Sequence, residues 1–91
     1  MRIKAAIEKK LGEGLLPQRL SVVDESHLHA GHAHAPAGGE SHFRVEVVSA
    51  GFAGLSRVAR QRLVYELLAE EMKERIHALA LRTLTPEEDR R

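Results

Sequence analysis

The fold is decided by residues 42–49, which read His42-Phe43-Arg44-Val45-Glu46-Val47-Val48-Ser49. Apolar Phe43, Val45 and Val47 alternate with charged Arg44 and Glu46. This period of two is typical of a strand that buries one face and exposes the other. The stretch therefore predicts a strand on a sheet with one covered face, and the flanking segments must supply the cover.

A helix pattern lies upstream of this strand. Ile3, Ile7 and Leu11 recur at helical spacing with charged residues between them, and we expect Gly12 and Gly14 to end this first helix. Residues 19–25 follow, carry Leu20, Val22 and Val23, and predict a first strand.

A second helix pattern lies downstream. Ser56 is placed to cap one long helix that runs to about Lys73. Residues 76–84 then predict a third strand, and Thr85-Pro86-Glu87-Glu88 is the start pattern of a short helical turn. We expect residues 85–91 to form a frayed C-terminal tail.

These elements predict one α+β domain over residues 1–91. The order is αββααβ(α), with the turn at 51–54 counted as a short helical element. The first two strands should pair antiparallel across the loop at 27–41. The second and third should be parallel, because a helix crosses between them. We therefore expect a three-stranded mixed sheet with helices packed on one face.

Composition excludes several classes of protein. The 91 residues carry a net charge of +1 and no cysteine, so no disulfide, thiol nucleophile or thiolate metal ligand is available. Residues 1–11 are charged throughout and lack the apolar run of a signal peptide, which favours the cytoplasm and no membrane. No nucleophile-and-base or phosphate-loop pattern occurs, so neither an enzyme nor a small-molecule substrate is expected.

Histidine is unusually frequent. Four of the six histidines, His27, His29, His32 and His34, fall in the loop at 27–41, and His77 opens the third strand. Neutral imidazole binds iron, zinc and copper. The competing interpretations are a solvated loop that binds metal adventitiously and a strand-end His77 without a ligand role.

A GxxG sequence at Gly51 and Gly54 precedes the long helix. Such a loop lets a backbone approach nucleotides closely, and Arg57 and Arg60 lie one helical turn apart behind it. Alternatively, the segment is a turn in which Phe52 enters the core and Gly54 adopts positive φ. Arg60 and Arg62 would then form salt bridges with nearby acids, such as Arg62 with Glu66 one helical turn away.

Five stretches resemble successive motifs of the BolA family, in the family's order. They cover nearly the whole chain after residue 20 and are Val23-Asp24-Glu25-Ser26, Glu40-Ser41-His42-Phe43-Arg44-Val45, Phe52-Ala53-Gly54-Leu55-Ser56, Arg60-Gln61-Arg62-Leu63-Val64-Tyr65 and His77-Ala78-Leu79-Ala80-Leu81. The resemblance implies a class II KH-like fold, in agreement with the element order. Gln61 departs from the histidine that the family often has there, and the loop is longer and richer in histidine.

The resemblance also implies a function. BolA proteins are associated with monothiol glutaredoxins and a bridging [2Fe–2S] cluster, and in bacteria with morphology and transcriptional control. Its ligand positions correspond to His77 and to His29 or His32, with the sulfur ligands coming from the glutaredoxin and its glutathione. No cofactor is then expected in the isolated protein. The alternative is a DNA-binding regulator that uses Gly51, Gly54, Arg57 and Arg60.

Overall fold

A computed structural model describes residues 3–25 and 41–91 of the chain. The helices are α1 (Ile3–Leu15), α2 (Arg57–Leu67), α3 (Ala69–Glu74) and α4 (Pro86–Asp89), with a 3₁₀ turn at Ala50–Phe52. The strands are β1 (Arg19–Asp24), β2 (His42–Val48) and β3 (Ala78–Leu84).

The three strands form one mixed sheet in the order β1-β2-β3. β1 pairs antiparallel with β2, and β2 pairs parallel with β3, so the predicted α+β topology is confirmed. The register sets Val22 opposite Val45 and Val45 opposite Leu81. Apolar residues of all three strands therefore share the face that the helices cover.

The core lies between that face and the helices. Phe43, Val45 and Val47 are almost fully buried, as the alternation in β2 predicts. They pack against Ile7 and Leu11 of α1, and the same cluster includes Leu15, Val22, Phe52, Val64, Leu68 and Ile76. Burial of this apolar set is the main stabilising contribution to the fold.

The structure corrects the end of the first helix. α1 continues through Gly12 and Gly14 to Leu15, and Leu16 ends it with a φ of 44°. Leu15 is buried in the core cluster, and that burial outweighs the weak helix propensity of the two glycines. Gly14 also lies directly under Leu67, where a Cβ atom would come within 2.8 Å of the Leu67 side chain.

The structure also divides the predicted long helix. α2 ends at Leu67, Leu68 departs from helical geometry with φ −104° and ψ 20°, and α3 starts at Ala69. Leu68 is fully buried, and its N–H still donates to the Val64 carbonyl over 3.0 Å. On either side of Leu68, Val64 of α2 and Met72 of α3 still pack on the same core.

The C-terminal segment is a helix with several attachments. Thr85 caps α4 in a reciprocal capping box with Glu88, and Pro86 occupies the first turn. Asp89 accepts from Arg19 of β1 over 2.7 Å, and Glu88 accepts from Arg60 of α2 over 2.6 Å. The sequence pattern predicts the start of this helix but not the two ion pairs that attach it to α2 and β1.

Candidate functional site

His77 is exposed and directly precedes β3. Its backbone N–H donates to the Ser41 carbonyl over 2.8 Å, and the N–H of Ala78 donates to the same oxygen over 3.2 Å. Ser41 is buried and is the residue before β2. These bonds fix the His77 backbone beside Ser41, the residue that joins the histidine-rich segment 27–40 to β2.

His42 lies next to His77. Their ring centroids are 6.0 Å apart, in an edge-on arrangement with 67° between the planes. The parallel register explains this, because His42 is paired with Ala78 and both strands start at the same end of the sheet. Nδ1 of His42 lies 2.8 Å from Oγ of Ser41, which holds the ring. His42 and His77 therefore lie together at one end of the sheet.

The two loop candidates, His29 and His32, lie outside the described residues, as do His27 and His34. Over residues 3–25 and 41–91, no group of three His, Cys, Asp or Glu side chains is arranged to hold a metal ion. The two adjacent imidazoles would fill at most two coordination positions. A metal centre at this end of the sheet therefore needs further ligands from the loop or from a partner.

The GxxG segment is built as a structural turn. Phe52 is fully buried in the core, and Gly54 has a φ of 79°, which a residue with a side chain rarely adopts. Ser49 accepts from the N–H of Gly51 over 3.0 Å, and Ser56 caps α2 by accepting from Ala59 over 3.1 Å. The turn interpretation and the Ser56 cap are confirmed.

Arg60 is tied to the body of the protein, and only 12% of its side chain is exposed. Its guanidinium donates to the carbonyls of Leu55 and Thr83 and to Glu88, and it lies 5.8 Å from the centroid of the Phe52 ring. The hydrogen bond from Arg60, followed by that from the Thr85 backbone, lowers the pKa of Glu88 to about 2. A phosphate would have to displace Glu88 to reach Arg60.

Arg57 lies in a different environment from Arg60, although the two residues are one turn apart on α2. It is exposed and makes no ion pair with any residue that the structure describes. It lines an open cleft of about 490 Å³ together with Gln61, Arg44 and Arg82. The suggested ion pair between Arg62 and Glu66 does not form within the described ranges.

Two further basic residues lie near the GxxG turn. Arg90 and Arg91 line a second cleft of about 430 Å³ that also includes Gly54 and Pro86. The sequence places them in the C-terminal tail expected at 85–91. The available signal was the helix start at Thr85-Pro86, because a helix that starts there returns the final arginines towards the turn.

Comparison with known proteins identifies the family. A family model described as BolA-like protein matches residues 11–88. The chain belongs to the BolA-like family. The DNA-binding transcriptional regulator BolA of Vibrio cholerae is 50% identical over 86 residues, covering 94% of this chain and 77% of that protein. Human BolA-like protein 1 is 50% identical over 84 residues, covering 92% of this chain and 58% of that protein.

A solved structure supports the assignment. The BolA domain of SufE1 from Arabidopsis thaliana superimposes with a TM-score of 0.84 at 44% identity, and the match covers 93% of each chain. The BolA-like family is not known for enzymatic activity. In the described part of this BolA-like chain, no helix has the length and apolar character needed to cross a membrane.

Proposed function

We propose that this BolA-like chain binds a monothiol glutaredoxin and co-ligates a bridging [2Fe–2S] cluster with it. Its role would be non-enzymatic, in iron–sulfur trafficking or in iron and redox regulation, within the cytoplasm. The observation that supports this proposal most directly is the position of His77. It is exposed, and two backbone hydrogen bonds hold its segment against Ser41, where the histidine-rich loop re-enters the sheet.

The chemistry of the donors fits such a shared cluster. Iron–sulfur clusters are usually held by thiolates, and imidazole replaces thiolate in clusters of higher potential. This chain has no cysteine, so its own donors toward iron are histidines. His77 would supply one ligand and His29 or His32 the second. The glutaredoxin cysteine and glutathione would supply sulfur, and the bound cluster would serve as cargo or as a redox sensor.

His42 provides a matched control within the site. Its ring lies beside that of His77, but its Nδ1 is hydrogen-bonded to Ser41. His42 is also part of β2 and pairs with Ala78, whereas His77 precedes β3. We therefore assign the ligand role to His77 and a supporting role to His42.

The test is a titration of glutathione-ligated [2Fe–2S] monothiol glutaredoxin with this protein, followed by visible absorption and circular dichroism. A new spectrum that saturates at one chain per glutaredoxin is expected. His77→Ala should abolish the new spectrum while the far-ultraviolet spectrum of the fold is unchanged, and His42→Ala should retain it. An unaltered cluster spectrum with His77→Ala would exclude His77 as a ligand. Separate His29→Ala and His32→Ala variants identify the loop ligand.

A second candidate function is DNA-binding regulation. Relatives such as the DNA-binding transcriptional regulator BolA of Vibrio cholerae favour it. The exposed Arg57 and the placement of Arg90 and Arg91 near Gly54 also favour it. Arg60 contributes less in this proposal, because Glu88 already neutralises its charge.

Salt dependence and two single variants test this second candidate. Binding to duplex DNA should weaken steeply as salt rises, because phosphate contacts release counterions. Arg57→Ala should weaken binding more than Arg60→Ala when both variants are measured under conditions in which they are fully folded, and the double variant should keep the cluster spectrum. Normal DNA binding by the double variant would show that this face is not the DNA site.

A further inference from the structure

β3 is an edge strand, and one side of it carries backbone groups without a strand partner. The N–H of Ser49 donates to the Leu84 carbonyl, and the N–H of Ala78 donates to Ser41. Even-numbered residues of β3 therefore point their backbone groups at β2. Because these groups alternate along a strand, the N–H and C=O of Leu79 and Leu81 point away from the sheet.

The Thr83 carbonyl confirms that the odd-numbered backbone groups of β3 point away from β2. It accepts a hydrogen bond from Nη1 of Arg60, on the outer side of β3, over 3.1 Å. Arg60 therefore occupies the C-terminal part of the edge. The groups of Leu79 and Leu81 remain available, since within residues 3–25 and 41–91 the only strand beside β3 is β2.

The cleft of about 490 Å³ adjoins the C-terminal half of this edge, from Leu81 to Leu84, and three arginines contribute to its lining. Arg44 and Arg82 extend from the sheet with 64% and 69% of their side chains exposed, and Arg57 contributes from α2. The ion-pair partners of Arg44 and Arg82 are Glu25 and Glu46, which lie outside the lining. No carboxylate lines the cleft among the described residues.

We propose that the outer edge of β3 binds an extended acidic segment of a partner protein, which adds to the sheet as a fourth strand. Backbone groups of Leu79 and Leu81 would pair with the segment. Carboxylates at alternate positions of the segment would face Arg44 and Arg82, which follows from the period of two along a strand.

Charge and hydrogen-bonding capacity decide between possible occupants. A second copy of this chain would bring its own arginines against these and would be repelled. Phosphates of a nucleic acid would satisfy the arginines but would offer no donor to the outward carbonyls of Leu79 and Leu81. A peptide backbone offers donors and acceptors in alternation, and acidic side chains complete the match.

The test uses the full chain labelled with ¹⁵N and a short peptide of alternating glutamate and valine with blocked ends. We expect amide shifts and slowed hydrogen exchange at Leu79 and Leu81. Arg82→Glu and Arg57→Glu should each weaken binding about tenfold, the size expected for reversing a partly exposed charge pair. Arg62→Glu is the matched control, since this exposed arginine of α2 lies outside the cleft lining, and it should leave the affinity unchanged.

Three results would overturn the proposal. Unchanged Leu79 and Leu81 amides at saturating peptide would exclude strand addition. Equal binding of a lysine–valine peptide, or an equal loss with Arg62→Glu, would show that the charge of the cleft does not select the occupant. Shifts at the arginines with duplex DNA, without slowed exchange at Leu79 and Leu81, together with no binding of the acidic peptide, would assign the cleft to nucleic acid.

Discussion

Arg60 of α2 donates to Glu88 of α4 over 2.6 Å, although the two residues are 28 positions apart in sequence. The same guanidinium donates to the Thr83 carbonyl at the edge of β3. One side chain thus joins α2, β3 and α4. This relationship makes Arg60 a structural residue and separates it in role from the exposed Arg57.

The Arg60 contacts predict a large loss of stability when they are removed. Arg60→Ala deletes hydrogen bonds to Leu55, Thr83 and Glu88, and we expect the free energy of unfolding to fall by about 1.5–3 kcal/mol, the range for charge-assisted bonds. Urea denaturation at neutral pH measures this. Arg62→Ala is the control, and it should change stability by less than about 0.5 kcal/mol, as surface substitutions do. Equal effects of the two substitutions would contradict the structural role of Arg60.

Glu88 predicts a specific dependence of stability on pH. Its pKa falls from an ordinary 4.5 to about 2 in the folded protein, chiefly through the hydrogen bond from Arg60. A depressed pKa means that the stabilisation is complete above pH 4.5 and disappears as the pH falls towards 2. The stability difference between the wild type and Glu88→Gln should therefore shrink over that interval, as urea midpoints would show. A difference that stays constant from pH 5 to pH 2 would contradict the assignment.

Gly12 and Gly14 offer a matched pair within α1. A Cβ atom at Gly12 meets nothing within 4 Å, so Gly12→Ala should stabilise the protein by about 0.5–1 kcal/mol through helix propensity. A Cβ atom at Gly14 comes within 2.8 Å of Leu67, so Gly14→Ala should lose that gain because Leu67 must shift. Thermal denaturation of both variants measures the difference. Equal gains at both positions would show that α1 and α2 do not approach so closely.

The buried hydrogen bonds of Ser49 should contribute to the stability of the fold. Ser49 is fully buried, donates to the Leu15 carbonyl over 2.6 Å and accepts from the N–H of Gly51 over 3.0 Å. Ser49→Ala leaves both groups unsatisfied and should cost about 1–3 kcal/mol. Ser21→Ala, at an exposed position of β1, is the control and should be nearly neutral. Denaturant midpoints of the two variants test this, and a neutral Ser49→Ala would contradict the prediction.

The candidate site was only partly predictable from sequence. Parallel pairing of β2 and β3 follows from the helix between them, and this pairing brings His42 and His77 to one end of the sheet. The ligand roles of His77, His29 and His32 stay predictions. The different environments of Arg57 and Arg60 were not predictable, because helical spacing gives neighbours along α2 but not the position of Glu88.

The sequence by itself determined the topology of this BolA-like chain, since the alternation in β2, the helix periods and the cap at Ser56 are local signals of period and turn chemistry. Only the tertiary structure decided where helices end and which charges pair. α1 passes through two glycines because Leu15 reaches the core, and the predicted long helix is interrupted at Leu68, whose side chain is fully buried. Burial and long-range ion pairs depend on elements that are far apart in the chain, so local sequence patterns do not predict them.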